Sequence, residues 1–281
     1  VFGPWVPITL PELRKAVRAD IPIRHYPDIT HSLSCQFPVP QWDLAFAMTL
    51  GRECYNPRPL DEKHIHNLHA PYCEGSISYS EGINDDVNKF IWSDQDWNPE
   101  TPVIATLRDY ARLFIDPDHA DDLALAFMNQ EKNWRGPLLR NESVTTTLQQ
   151  WQALEKNAPG QVLSNYRFQM GLLRAYYDAC IQRRLAFETE LENKAMDVLR
   201  QARAENAREA AENAMAILLQ ARNQPPAAEL RDRCVALADS VYKNIGSQLT
   251  ISKHQAMSGR GNFMDNIDVP LNDAIWLLAG L

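Results

Sequence analysis

The run Ile21-Pro22-Ile23-Arg24-His25-Tyr26-Pro27-Asp28-Ile29-Thr30-His31 decides how the fold is read from the sequence. A short apolar run passes into proline, acid and hydroxyl residues, the pattern of a strand that ends in a polar loop. Two other runs share it. Val1-Phe2-Gly3-Pro4-Trp5-Val6 leads into a helix expected over residues 11–17, with Pro11 tolerated at a helix start. Ser76-Ile77-Ser78-Tyr79-Ser80 ends in Glu81-Gly82, and Asn84-Asp85-Asp86 then reads as the cap of a helix over residues 87–93. Strand, polar loop, helix, strand is the pattern of a parallel α/β sheet, expected here for residues 1–98. A complete (β/α)₈ barrel takes about 250 residues, so three strands predict the C-terminal part of an incomplete barrel.

Outward from these runs the composition changes. Twelve of the 18 prolines lie in the first 102 residues, and none lies between residues 160 and 224. The shift places a boundary near residues 97–102 and a helical bundle domain over residues 99–281. Apolar residues recur at helical spacing in residues 101–115, 118–133 and 142–157. Leu163, Tyr166, Met170, Leu173 and Tyr177 then form a seam of the kind antiparallel bundles bury. A straight helix over residues 162–221 would be roughly 90 Å long, so a bend is expected near residues 202–212, or else a projecting arm. Helices are also expected over residues 227–247 and 273–278.

The chain has 281 residues, 45% of them hydrophobic, enough for a full core and, by length, two domains. With 28 Lys+Arg against 36 Asp+Glu the net charge is −8, and no basic run is present. That argues against nucleic acid as a partner. No stretch approaches about 18 consecutive apolar residues, so no membrane span is expected. The five cysteines, Cys35, Cys54, Cys73, Cys180 and Cys234, contain no CxxC pair and read as mostly buried thiols. A start at Val1 leaves open a mature form, a domain or a fragment, and a signal peptide is neither seen nor excluded.

Ligand sites of parallel α/β folds lie beyond the C-terminal strand ends, which here are Trp5, residues 25–31 and residues 79–86. Aromatics, carboxylates and hydroxyls together are the inventory that binds sugar rings. Glu81, directly after a strand and before Gly82, is the first carboxylate candidate; it could also pair with Lys89 or cap the next helix. Asp28 and Asp85 are secondary acids, with a turn residue and a helix cap as their structural alternatives. Arg52, on the proline-stiffened loop of residues 51–59, could grip a carboxylate or anchor the loop through Asp61 or Glu62. His64-x-His66-x-x-His69 lacks the spacing of known zinc patterns, so no metal is expected. No Gly-rich phosphate loop, Gly-x-Ser-x-Gly elbow or Cys/His nucleophile pair is present.

At residues 24–31 and at Tyr79-Ser80-Glu81-Gly82-Ile83-Asn84-Asp85-Asp86-Val87-Asn88-Lys89 the sequence resembles glycoside hydrolases of the α-glucuronidase type. The resemblance covers residues 1–100 by motif and the remainder only by helical character. It implies a (β/α)₈ barrel followed by a helical domain, and hydrolysis by two carboxyl groups flanking a glycosidic bond. The expected catalytic residues are then Glu81, Asp28 and Asp85. Trp5, His25, His31, Arg52, Tyr79 and Asn88 would hold a carbohydrate substrate, with no cofactor. A periplasmic or extracellular location would follow. On that resemblance, the barrel's middle strands, where many such enzymes carry the acid/base, would lie outside this chain. The alternative is a non-catalytic carbohydrate-binding protein or a helical scaffold, favoured if aromatics stand exposed along residues 162–202. Convergence of Asp28, Arg52, Glu81 and Asp85 on one concave pocket would favour the enzyme.

Overall fold

A computed structural model describes residues 1–272, and the helix expected over residues 273–278 lies outside them. The architecture corrects the α/β expectation. About 60% of the chain is helical and about 1% is strand, an all-α fold without barrel strands. The three apolar runs do lie side by side, but they meet only at two isolated parallel bridges, Phe2 with His25 and His25 with Ser76. Phe2 N–H donates to Arg24 O at 2.8 Å, and His25 N–H to Gly75 O at 2.9 Å. Pro4, Pro22 and Pro27 explain why the pairing stops there. Proline has no N–H to give to a ladder, so each run offers only a few residues able to pair.

The first 100 residues carry short helices: α1 (Leu10–Ala16), α2 (Leu44–Leu50), α3 (Pro59–His69) and α4 (Asp86–Trp97). Thr9 and Glu12 form a capping box on α1, while Asp43 caps α2. Asp85 stands at the N-cap position of α4 but makes no cap bond, because its carboxylate is committed elsewhere.

The helical expectations for the rest of the chain hold closely. α5 (Val103–Phe114), α6 (Ala120–Lys132) and α7 (Ser143–Asn157) are followed by a single turn, α8 (Gly160–Leu163). The central helix α9 (Tyr166–Arg200) has 35 residues and is about 50 Å long. Asn165 caps it, accepting from Arg167 N–H at 2.9 Å. The chain then reverses over residues 201–206, and α10 (Ala207–Leu218) folds back on the end of α9. α11 (Gln220–Asn223), α12 (Ala228–Ile245) and α13 (Ile251–His254) are the last α-helices among the described residues, and a 3₁₀ turn at Phe263–Asn266 follows.

The first half of α9 is buried on every side from Phe168 to Ile181, which is why its apolar residues do not confine themselves to one stripe. The tightest approach is at Gly171, where the Trp151 ring of α7 lies so close that a Cβ would stand 2.1 Å from it. One apolar cluster joins Phe46, Leu50 and Tyr55 to Leu107, Tyr110, Trp151 and Phe168, so it draws from both sides of residue 98. A second, much smaller cluster of Ala195, Ala214 and Leu218 holds the far end of α9 against α10.

Candidate functional site

A cleft of about 630 Å³ opens where four loop segments from the first 81 residues meet a fifth from the C-terminal side. Trp5 stands at its rim with 77% of its surface exposed. Tyr26 and Tyr79 form an edge-to-face pair, ring centres 5.8 Å apart, on its wall. Asp28, His31, Arg52 and Glu81 also line it, and Arg260 reaches it from the far end of the chain.

These loops have few backbone partners of their own, and buried side chains supply the missing bonds. Asp28 is 4% exposed and works on its neighbours. Its Oδ1 accepts from Thr30 N–H and His31 N–H, both at 3.2 Å, a local turn bond of the kind aspartate favours. The same carboxylate lies 2.9 and 3.0 Å from His31 Nδ1. Burial would raise the Asp28 carboxyl, but the bonds from His31 outweigh it and hold it below its ordinary range. For His31, burial opposes the charged ring, while the bond and charge of Asp28 raise its affinity for a proton overall.

On the other side of the imidazole, Nε2 lies 3.3 Å from Glu53 Oε1 and 3.7 Å from Glu81 Oε2. Burial, followed by the charge of Glu81, pushes the Glu53 carboxyl upward. Tyr79 Oη donates to Glu81, and that bond to a carboxylate is the first reason its phenol is pushed up to about 12. Donor atoms of His31, Glu53 and Glu81 all lie within 4.8 Å of one another, a set that could hold a metal ion.

Asp85, Asn88 and His25 sit behind the cleft. Asp85 is fully buried; its carboxylate accepts from Thr30 Oγ1, from Ser80 Oγ at 2.8 Å and from Glu81 N–H at 2.9 Å. It therefore braces Glu81, and burial raises its own carboxyl. Asn88 ties two loops to α4, donating to Ile29 O at 3.0 Å and Asn56 O at 2.6 Å, and accepting from Arg58 N–H at 2.8 Å. His25 is 1% exposed among Phe2, Phe37, His69 and Trp92, and burial takes its pKa down to about 4. Of the four charged residues expected to converge, Asp28, Arg52 and Glu81 line the cleft and Asp85 supports it from behind.

Sequence reasoning missed Glu53 and Arg260 as members of the site. Glu53 was hidden beside Arg52, in a loop where either side chain could have faced inward. Arg260 carried a weak signal. It lies between Gly259 and Gly261, both at positive φ of 76° and 72°, so glycine is favoured on each side of this turn. The turn presents Arg260 Nη1 at 3.8 Å from both Glu53 and Glu81.

His66 and His69 of α3 are taken up by separate partners. His66 Nε2 is 3.0 Å from Asp96 Oδ1, and His69 Nδ1 is 2.8 Å from Ile65 O. All five cysteines are free thiols, three of them buried.

No family model matches this chain, and neither does any curated protein or solved structure. With an all-helical fold in place of barrel strands and no matching relative, the resemblance to α-glucuronidase-type hydrolases is overturned. Its strand-end motif is instead a set of loop segments bridged at single residues. No described helix is long and apolar enough to cross a membrane.

Proposed function

We propose that the chain is a binding protein whose cleft takes a small polyhydroxylated, carbohydrate-like molecule. The observation that carries this reading is the exposed indole of Trp5 at the mouth of a cleft whose wall holds the Tyr26–Tyr79 pair and whose floor holds charged groups. Flat aromatic faces pack against the C–H faces of sugar rings, and a polar handle beside them fixes orientation. Glu81 accepts hydroxyl hydrogens, and Arg52, whose side chain is 45% exposed, donates to ring and hydroxyl oxygens. The volume of about 630 Å³ suits a mono- or disaccharide.

Calorimetric titration with neutral and uronic-acid mono- and disaccharides tests this. Trp5→Ala is expected to weaken binding at least tenfold while the circular dichroism of the helices is unchanged. Binding by no sugar, or equal binding by Trp5→Ala, refutes the reading. The scaffold alternative gains no support from α9, whose aromatic residues Phe168, Tyr176 and Tyr177 are buried and Tyr166 and Phe187 half-buried.

A further inference from the structure

We propose that His31, Glu53 and Glu81 form a binding site for one divalent transition-metal ion of the zinc class, with an open coordination position facing the cleft. This inference shares Glu81 with the sugar-binding reading but does not rest on it, and its test does not use a sugar.

Tautomer chemistry is the starting point. Asp28 places both carboxylate oxygens on His31 Nδ1, at 2.9 and 3.0 Å, and a carboxylate has no hydrogen to give. The ring hydrogen of a neutral His31 therefore sits on Nδ1, and the Nε2 lone pair points at two further carboxylate oxygens, on Glu53 and Glu81. Three lone pairs thus converge on one point. Such an arrangement is repulsive unless a metal ion, or a second proton on the ring, stands between them.

Neither nearby arginine takes that place. Arg52 and Arg260 remain 3.8 Å from Glu53 Oε1, beyond hydrogen-bond distance, and Arg260 is on the solvent side with its side chain 61% exposed. The Glu53 side chain is only 5% exposed, so water does not compensate its charge well.

The spacing suits a metal. Donors on a tetrahedral ion with bonds of about 2.0–2.1 Å stand about 3.4 Å apart. His31 Nε2 is 3.3 Å from Glu53 Oε1 and 3.7 Å from Glu81 Oε2. An imidazole with two carboxylates is a nitrogen–oxygen donor set that suits zinc better than the all-oxygen preference of calcium or magnesium. Three protein ligands leave a fourth position, and His31 and Glu81 both line the cleft. Asp28 completes the arrangement by orienting the ligand imidazole through its other nitrogen. Glu81 is braced in turn by its own N–H to Asp85.

The test is equilibrium dialysis of the full chain against zinc, with bound metal counted by mass spectrometry, and X-ray absorption at the zinc edge. One zinc per chain is expected, with one nitrogen and otherwise oxygen neighbours. His31→Ala and Glu53→Gln should each lose more than tenfold in affinity, and Asp28→Asn about 10–100-fold. Should His31→Ala fail to fold, Glu53→Gln and Glu81→Gln carry the comparison, since amide for carboxylate keeps the volume. Zinc uptake by the double variant His31→Ala/Glu53→Gln equal to that of the parent overturns the proposal. So does sulfur in the absorption spectrum, which would place the ion on a cysteine. Absence of zinc uptake by the parent chain also overturns it, leaving a proton on Nε2 as what joins the three groups.

Discussion

The loop-rich region of residues 1–98 and the helical bundle bury side chains for opposite reasons. In the bundle, helices satisfy their own backbone groups, so buried positions on α7 and α9 can be apolar and pack by shape, as Trp151 does on Gly171. In the loop region the backbone has few repeating partners. Asp28, Asp85 and Asn88 are buried there and provide them. The contrast teaches why the cleft lies where it does. A region held together by buried polar side chains has carboxylates and imidazoles already inside it, and a small change of direction turns one of them toward a ligand.

The largest expected effect lies in the bundle. Trp151→Ala should cost about 3–5 kcal/mol in denaturant unfolding. Gly171→Ala should also destabilise, by about 1–3 kcal/mol or more, despite the better helix propensity of alanine, because its Cβ meets the Trp151 ring. If packing is the cause, the double variant will lose less than the sum of the two. Strict additivity would mean that the bundle does not depend on this contact.

Asn88→Ala probes the loop region. It leaves Ile29 O, Asn56 O and Arg58 N–H without their buried partner and should cost about 3 kcal/mol. The comparison is sharpened by where the loss shows. Amide exchange should rise at residues 56–58 and around the cleft while α9 stays protected. An even rise across the molecule would show the two regions to be one cooperative unit.

Leu218→Ala acts on the small cluster between α10 and the end of α9. About 2 kcal/mol is expected, confined to faster exchange in α10 with little change in the main transition.

The smallest effect concerns Asp96, which lies wholly within the first region and ties α4 to its neighbours by accepting from Ser76 Oγ and pairing with His66 of α3. Burial would raise its carboxyl, but the bonds from His66 and Ser76 prevail and hold it below its ordinary 3.8. Its contribution is therefore present above that value and is lost as pH falls through the lower folded value. Asp96→Asn should cost about 1 kcal/mol at pH 7, and the difference from the parent should shrink below about pH 4. A difference that stays constant down to pH 3 would rule out the carboxylate as its source.

The legible part of the fold was the part with a local period. α5, α6, α7 and the long α9 show apolar spacing because each helix bond closes within four residues. The break at residues 201–206 was anticipated within a few residues, from length alone. The strands were misread because apolar runs between prolines look alike whether they pair along their length or at one residue. Pro22 and Pro27 were present in the sequence, but only the partners of Ile23 and His25 reveal how little pairing they permit.

The cleft divides the same way. Trp5, Asp28, His31, Arg52, Tyr79 and Glu81 were singled out by residue type beside turn signals, and the structure brings them to one opening. Asp85, Asn88 and His25 have the same chemistry and the same kind of sequence context, yet they face inward. By itself the sequence determined where the longer helices beyond residue 100 form, though not α2 or α3, which loops are stiff, and that the chain carries no basic run. Only the tertiary structure decided that Glu53 joins His31, and that Arg260 crosses some 180 residues of chain to meet Glu81. The reason is physical. Helix bonds are local and leave a period in the sequence, whereas a converging site depends on which direction each loop side chain takes once the backbone's remaining bonds have been satisfied.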